Sequence, residues 1–122
     1  MSRRLPRDGE LGRPNEPGVL ILTSLASGPK HGYALTKDIE GFAGVELGPG
    51  TLYGAITRLE ERGLIEPAGT EPRRRPYRLT PAGETELAKA LEAMHAITQE
   101  GAARLGLKLP SRTRRARVGF SS

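Results

Sequence analysis

The chain of 122 residues has no cysteine, no tryptophan and only two histidines. Without thiols, disulfides and thiolate metal sites are excluded, and the absence says nothing firm about redox compartment. His31 and His95 are well separated and too few to form a metal site. No pair of carboxylates falls into a readable motif, so a convergent catalytic site is not expected. Gly48–Gly50 is GPG, which lacks the lysine and the glycine spacing of a phosphate-binding loop. Long apolar runs are missing too: Val19–Leu22 is the longest, against the roughly 20 residues that a membrane-spanning helix needs. The start, MSRRLPRDGE, lacks the apolar segment of a signal peptide. The expectation is a single-domain, soluble, cytoplasmic protein with no enzymatic activity, no cofactor, no metal and no membrane partner. The net charge of +5 is local, because residues 1–105 hold 14 basic and 14 acidic side chains and the excess sits at Lys108, Arg112, Arg114, Arg115 and Arg117. A high isoelectric point is therefore a weak argument about partners here.

What is present is centred on Gly48 to Gly63, GPGTLYGAITRLEERG. Pro49 suits a first helical position, where its missing N–H would be unpaired anyway, and Gly63 suits the left-handed residue that closes a helix. At about 3.6 residues per turn, Leu52, Ala55, Ile56 and Leu59 share one face, while Gly50, Thr51, Tyr53, Gly54, Thr57 and Arg58 fall on or beside the opposite one. Charge waits until Arg58, Glu60, Glu61 and Arg62, which leaves the front end free to approach another surface. Two readings are open at this point. One is a core helix with a small-residue outer face; the other is the recognition helix of a helix-turn-helix, whose N-terminal N–H groups and partial positive charge suit a phosphate backbone.

The remainder is organised around it. Residues 1–14, rich in Arg, Pro and Gly, predict a mobile arm. A first helix from Asn15 or Glu16 to the break at Gly28 and Pro29 carries Val19, Leu20, Ile21, Leu22 and Leu25, is apolar nearly all round, and needs cover on more than one side; a partner subunit is the expected second cover. A second helix is expected from about Lys30 to Phe42, with Leu35, Ile39 and Phe42 inward and Lys30, Lys37 and Asp38 toward solvent. Gly41 to Gly48 is then the turn of a helix-turn-helix. After Gly63, LIEPAG and PYRLT predict two short strands, with Pro67 and Pro76 at an edge or strand end. Between them TEPRRR forms the tip of a wing, where three arginines are either a solvated run or a phosphate grip. Thr80 caps and Pro81 opens a last helix to about Leu105, roughly 37 Å long. Leu87, Leu91, Met94, Thr98, Gly101 and Leu105 recur along it at spacings of three and four, a coiled-coil-like stripe longer than this small domain can cover. The fold class is thus mainly α with a small β-wing: a winged helix-turn-helix over 15–80, a dimerisation helix over 81–105 and a basic disordered tail over 106–122. Leu20, Leu87, Leu91, Met94 and Leu105 are the expected dimer contacts. Val19, Leu91, Met94, Ile97 and Thr98 are candidates either for simple interface packing or for an apolar effector pocket, with Met94 an adaptable, polarisable side chain on the seam.

These residues carry a family resemblance. VLILTSLASGPKHGYALTKDIE, GPGTLYGAITRLEERGLIE and RRRPYRLTPAG resemble the PadR family of bacterial transcription regulators, whose pattern is LLxLLxxxPxHGYxL, GTLYxxLxRLExxGLI and RxxYxLTxxG. The likeness runs in order from about Val19 to Gly83 and departs at Pro76, where the family usually has an aromatic or another strand former. The single helix after YRLT is similar to the short subfamily. The resemblance implies a winged-helix dimer, paired through its first and last helices, that binds double-stranded operator DNA as a repressor and often answers to a small molecule. It places recognition contacts at Thr51, Tyr53, Gly54, Thr57 and Arg58 and wing contacts at Arg73, Arg74 and Arg75. Lys37 joins this candidate DNA-contact set, and His31 and Tyr33 of HGY are expected to pack and orient the second helix. The alternative use of such a fold is protein contact without DNA binding.

Overall fold

The computed structural model describes residues 16–69 and 75–109. The expected arm over 1–14, Arg73, Arg74 and the tail from 110 onward lie outside the described residues. Among the described residues four helices and one hairpin follow in the order α1 (Pro17–Leu25), α2 (Gly32–Ala43), α3 (Pro49–Glu61), β1 (Ile65–Pro67), β2 (Tyr77–Leu79) and α4 (Pro81–Leu105). The hairpin is antiparallel, with Ile65 opposite Leu79, Glu66 opposite Arg78 and Pro67 opposite Tyr77. Pro67 closes its strand, where no ladder bond is asked of it. Arg78 and Glu66 pair across the outer face at 2.9 Å, an exposed contact worth roughly 0.2–1 kcal/mol. No helix among the described residues is long and apolar enough to cross a membrane.

The core is built around α1, which packs against α2, α3, α4 and β2. Val19, Leu20, Ile21, Leu22 and Leu25 are all buried within the single chain. This corrects the expectation that a partner covers the second side of α1: its own later elements surround it. Val19 and Leu20 are therefore core residues, not the lining of an open effector pocket or dimer surface. Leu35 and Ile39 of α2 and Leu52, Ala55, Ile56 and Leu59 of α3 complete the interior with Leu64, Ile65 and Leu87. Leu87 is likewise consumed inside the protomer.

Other boundaries move for local reasons. Helix α2 begins at Gly32, not Lys30, because the main chain of Lys30 pairs with Tyr77 as a one-residue third strand beside the hairpin. It also runs through Gly41 to Ala43 and ends at Gly44, whose left-handed φ of 68° a side chain would disfavour. The connector to α3 is thus Gly44–Gly48, and its Val45 and Leu47 pack against the core. Phe42, expected inward, lies in the last turn of α2 and is exposed. Gly63 has φ of 75° and ends the α3 segment as expected.

The start of α4 is fastened to the end of α3 by one side chain. The Thr80 hydroxyl accepts from the Gly83 N–H at 3.0 Å and donates to the Gly63 carbonyl at 2.7 Å. Gly83 itself lies against the Leu64 carbonyl, where a Cβ would collide. The architecture is a winged helix-turn-helix followed by a long helix. Helix propensity alone would make Gly83→Ala stabilising by up to about 1 kcal/mol. The backbone collision predicts the opposite sign, a loss of roughly 1–3 kcal/mol in urea unfolding.

Candidate nucleic-acid interface

Helix α3 is anchored through one face and open on the other. Its buried side, Leu52, Ala55, Ile56 and Leu59, holds it against the core. Pro49 occupies the first turn, no acidic residue does, and Gly48 as N-cap offers no side-chain hydrogen bond. The N–H groups of that turn consequently keep their partial positive charge unneutralised by any nearby carboxylate of the helix. A Cβ at Gly48 or Gly50 would meet open space, so nothing of the chain crowds this end.

The expected contacts on α2 and α3, and Arg75, can be placed. Thr51, Tyr53, Thr57 and Arg58 are exposed along the outer face. Gly54 is half-buried, with the Arg58 guanidinium leaning beside it: a Cβ there would lie 3.7 Å from Nη1. The Thr57 hydroxyl donates to the Tyr53 carbonyl one turn back at 2.9 Å, which spends its proton inside the helix and leaves its methyl and lone pairs for contacts outward. Lys37, on α2, is exposed and pairs with Glu40 at 3.5 Å, a helical i,i+3 contact of a few tenths of a kcal/mol that a stronger anion can displace. Arg75 is exposed at the foot of the hairpin tip. The expected contacts of α3 therefore share one outer face, with Lys37 on the neighbouring α2.

Two residues of the HGY motif divide differently from the expectation. Tyr33 does not pack to orient α2; it is 72% exposed, because it lies two positions from Leu35 and so on the opposite side of the helix. The residue that matters between them is Gly32. The Tyr53 hydroxyl end lies over the Gly32 backbone so closely that a Cβ there would overlap it. The GTLY and HGY segments thus meet in space: the tyrosine of one occupies the place that the glycine of the other leaves empty. Each motif shows its glycine and its tyrosine in sequence, and only the crossing of α2 and α3 shows that they are partners.

The candidates along the last helix split. Leu87 is buried, Met94 is half-buried and packs on the core, and Leu91, Ile97, Thr98 and Leu105 are exposed. The effector and dimer sets do not form one cluster within the chain. Among the described residues no group of three or more His, Cys, Asp or Glu is placed to hold a metal.

Comparison with known proteins follows the same geometry. The model of the transcriptional regulator PadR-like family matches residues 21–89. Over 82 residues the chain is 46% identical to an uncharacterized 37.1 kDa protein in a transposon of Streptomyces fradiae, covering 67% of this chain and 24% of that protein. It thus spans about a quarter of that relative's length. Over 83 residues it is 37% identical to a transcriptional regulator of Mycobacterium tuberculosis, covering 66% of this chain and 77% of the regulator. The solved structure of a transcriptional regulator from Clostridium thermocellum is similar with a TM-score of 0.62 at 30% identity, covering 72% of this chain and 87% of that one.

The contact between Tyr53 and Gly32 is testable without any ligand. Gly32→Ala should destabilise by roughly 1–3 kcal/mol, because the ring has to move. In a Tyr53→Ala background the same change should be neutral or stabilising, a coupling readable in a double-mutant cycle of urea midpoints. Equal penalties in both backgrounds would show that the ring does not occupy that space.

Proposed function

The chain belongs to the PadR-like family of transcriptional regulators, and we propose from this that it acts as a dimeric repressor which lays α3 in the major groove of operator DNA. The observation that carries the reading is the outer face of α3: Thr51, Tyr53, Thr57 and Arg58 exposed in a row behind a glycine-flanked, acid-free N-terminus. A helix so faced can approach base edges while its first-turn N–H groups meet phosphate. Thr51, Tyr53, Gly54, Thr57 and Arg58 form the groove-facing set, and Lys37 reaches the flanking backbone. Arg73, Arg74 and Arg75 at the wing tip supply phosphate affinity with little sequence information.

Pairing is supported by α4. Gly83, Leu87, Ala90 and Met94 turn one stripe of the helix toward the body of the protomer. The same stripe continues through Ile97, Thr98 and Leu105, where it has lost intrachain cover and leaves Ile97 72% and Leu105 75% exposed. Two such stripes facing each other join the protomers and set two α3 helices about one DNA turn, roughly 34–36 Å, apart. Small-molecule control, in this reading, acts at the same seam around Leu91, Met94, Ile97 and Thr98. Without aromatic stacking there, it is confined to weak, broad apolar binding through the adaptable methionine. An effector acts only by its preference for one of two dimer geometries. The site of action is the cytoplasm, where the operator is.

The direct test is a gel shift with DNA from upstream of the protein's own gene, and a saturable, competitor-resistant shift is expected. A protein that binds no DNA in this assay, while remaining folded, serves protein contact instead. Replacing Arg73, Arg74 and Arg75 by Ala should weaken binding to all sequences and flatten the salt dependence by up to about 0.9 log units per lost phosphate contact. An unchanged slope would show that the wing stays off the duplex. Ile97→Glu with Leu105→Glu should convert a sedimenting dimer to a monomer without lowering its helix content; a dimer that survives both changes is joined elsewhere.

A further inference from the structure

Lys30 is not a surface charge, although its place before HGY suggested one. Its side chain is only 18% exposed, and its ammonium is occupied on several sides. It donates to the Ser24 carbonyl at 2.5 Å, to the Ser27 hydroxyl at 2.8 Å and, more weakly, toward the Gly28 carbonyl at 3.4 Å. The Ser24 carbonyl lies in the last turn of α1, where the helix runs out of its own i+4 donors, and the Gly28 carbonyl lies in the turn that follows. A lysine placed there both fills them and meets the negative end of the helix dipole.

The same ammonium stands 4.0 Å from the Asp38 carboxylate on α2. Asp38 in turn accepts from the Ser24 hydroxyl at 2.6 Å, and Ser24 is buried. Ser24, Lys30 and Asp38 thus form one closed polar group that fixes the end of α1 against α2. The main chain of Lys30 does something else at the same time. Its N–H donates to the Tyr77 carbonyl at 3.1 Å, and its carbonyl accepts from the Tyr77 N–H at 2.9 Å. Tyr77 opens β2, so the hairpin is tied by this pair of bonds to the very residue whose side chain is pinned between the helices.

We propose that Lys30 is a positioning residue for DNA binding, its pinned side chain fixing through its own main chain where the wing stands relative to α3. The proposal rests on the regulatory reading above and adds a residue that touches no DNA. The base of the hairpin is held by Ile65 and Leu79 on the core and by the Thr80 N–H on the Leu64 carbonyl, while at Tyr77, nearer the tip, the main-chain attachment to the rest of the protein is the pair of bonds to Lys30. With the pin removed, residues 26–30 are free to rearrange, and the bridge to Tyr77 loses its fixed end. The Tyr77 end of the hairpin then loses its fixed place beside the recognition helix.

The test uses the full chain with Lys30→Met, which keeps the length of the side chain and removes its donors and charge. Because hydrogen bonds to a charged group are among the stronger ones, amide exchange at Lys30 and Tyr77 should quicken by about tenfold or more, while Ile56 and Leu59 in α3 change by less than about twofold. Lys30→Arg, which keeps charge and donors, should return Tyr77 toward the wild-type rate. On DNA, Lys30→Met should lower affinity and flatten the salt slope, and should have no further effect once Arg73, Arg74 and Arg75 are Ala. Unchanged exchange at Tyr77, an equal rise throughout α3, or additive losses on DNA would each overturn the proposal. Failure of the wild type to bind any DNA would instead remove the regulatory reading, and the exchange measurement would still decide whether the pin holds the wing.

Discussion

Burial of all five large aliphatic side chains of α1 is the constraint on which the rest depends. A nine-residue helix with apolar side chains all round cannot rest on one neighbour, so each later element is drawn to a different side of it. Each fully buried aliphatic side chain contributes roughly 1.5–3 kcal/mol. The five large ones of α1 thus make up a sizeable part of what a domain of this size has to lose. Wrapping α2, α3, α4 and β2 around one short rod also dictates that α3 buries one face only. Its other face is left outward at the edge of the molecule, which is where a recognition surface has to be.

The sequence disclosed α3 almost completely, because its start and stop depend on residues with strong backbone preferences. Pro49 and Gly63 mark the ends, and the apolar residues between them keep a single period. Thr80 as the cap of α4 was legible for the same reason. The outer cover of α1 was not. An all-round apolar helix states that cover is needed and says nothing of whether it comes from the same chain. Here the distant Leu87 and Leu79 supply part of it, and a partner subunit was the wrong inference for that surface. Lys30 misled in another way: at the start of the expected second helix it reads as a solvent-facing charge, and only the convergence of α1, α2 and β2 turns it into an internal donor.

The site divides along the same line. That Thr51, Tyr53, Thr57 and Arg58 share a face follows from helical spacing alone. That Tyr53 requires a glycine at 32 does not, since the two are 21 positions apart and meet only because α2 crosses α3. Tyr53 accordingly rests its hydroxyl end over the Gly32 backbone while the side chain remains half open to solvent. A side chain tethered at one end loses less freedom on meeting a ligand than a free one, so the cost of ordering it has been met in folding. The glycine of HGY thus shapes the outer face of α3, although it presents no side chain there.

The stripe on α4 shows why a surface for association can resemble a core. From Gly83 to Leu105 the apolar positions keep one spacing, and nothing in their chemistry changes where the protomer's own body ends. Met94 marks that boundary, half-buried on the core while Ile97, one turn on, is open. A helix that uses the same stripe first inside and then outside transmits any tilt of its outer half to the inner half as a nearly rigid rod. The inner half packs on α1, and Thr80 at its root is hydrogen-bonded to Gly63 at the end of α3. A displacement of the outer half of α4 therefore has a short mechanical route to α3, through packed side chains and one hydroxyl, and in the proposed dimer that half is where the protomers meet. The route is physical in the sense that both ends can bias the same element. In the proposed dimer, this route is what would let an apolar ligand at the seam alter the spacing of the two recognition helices with no contact to α3.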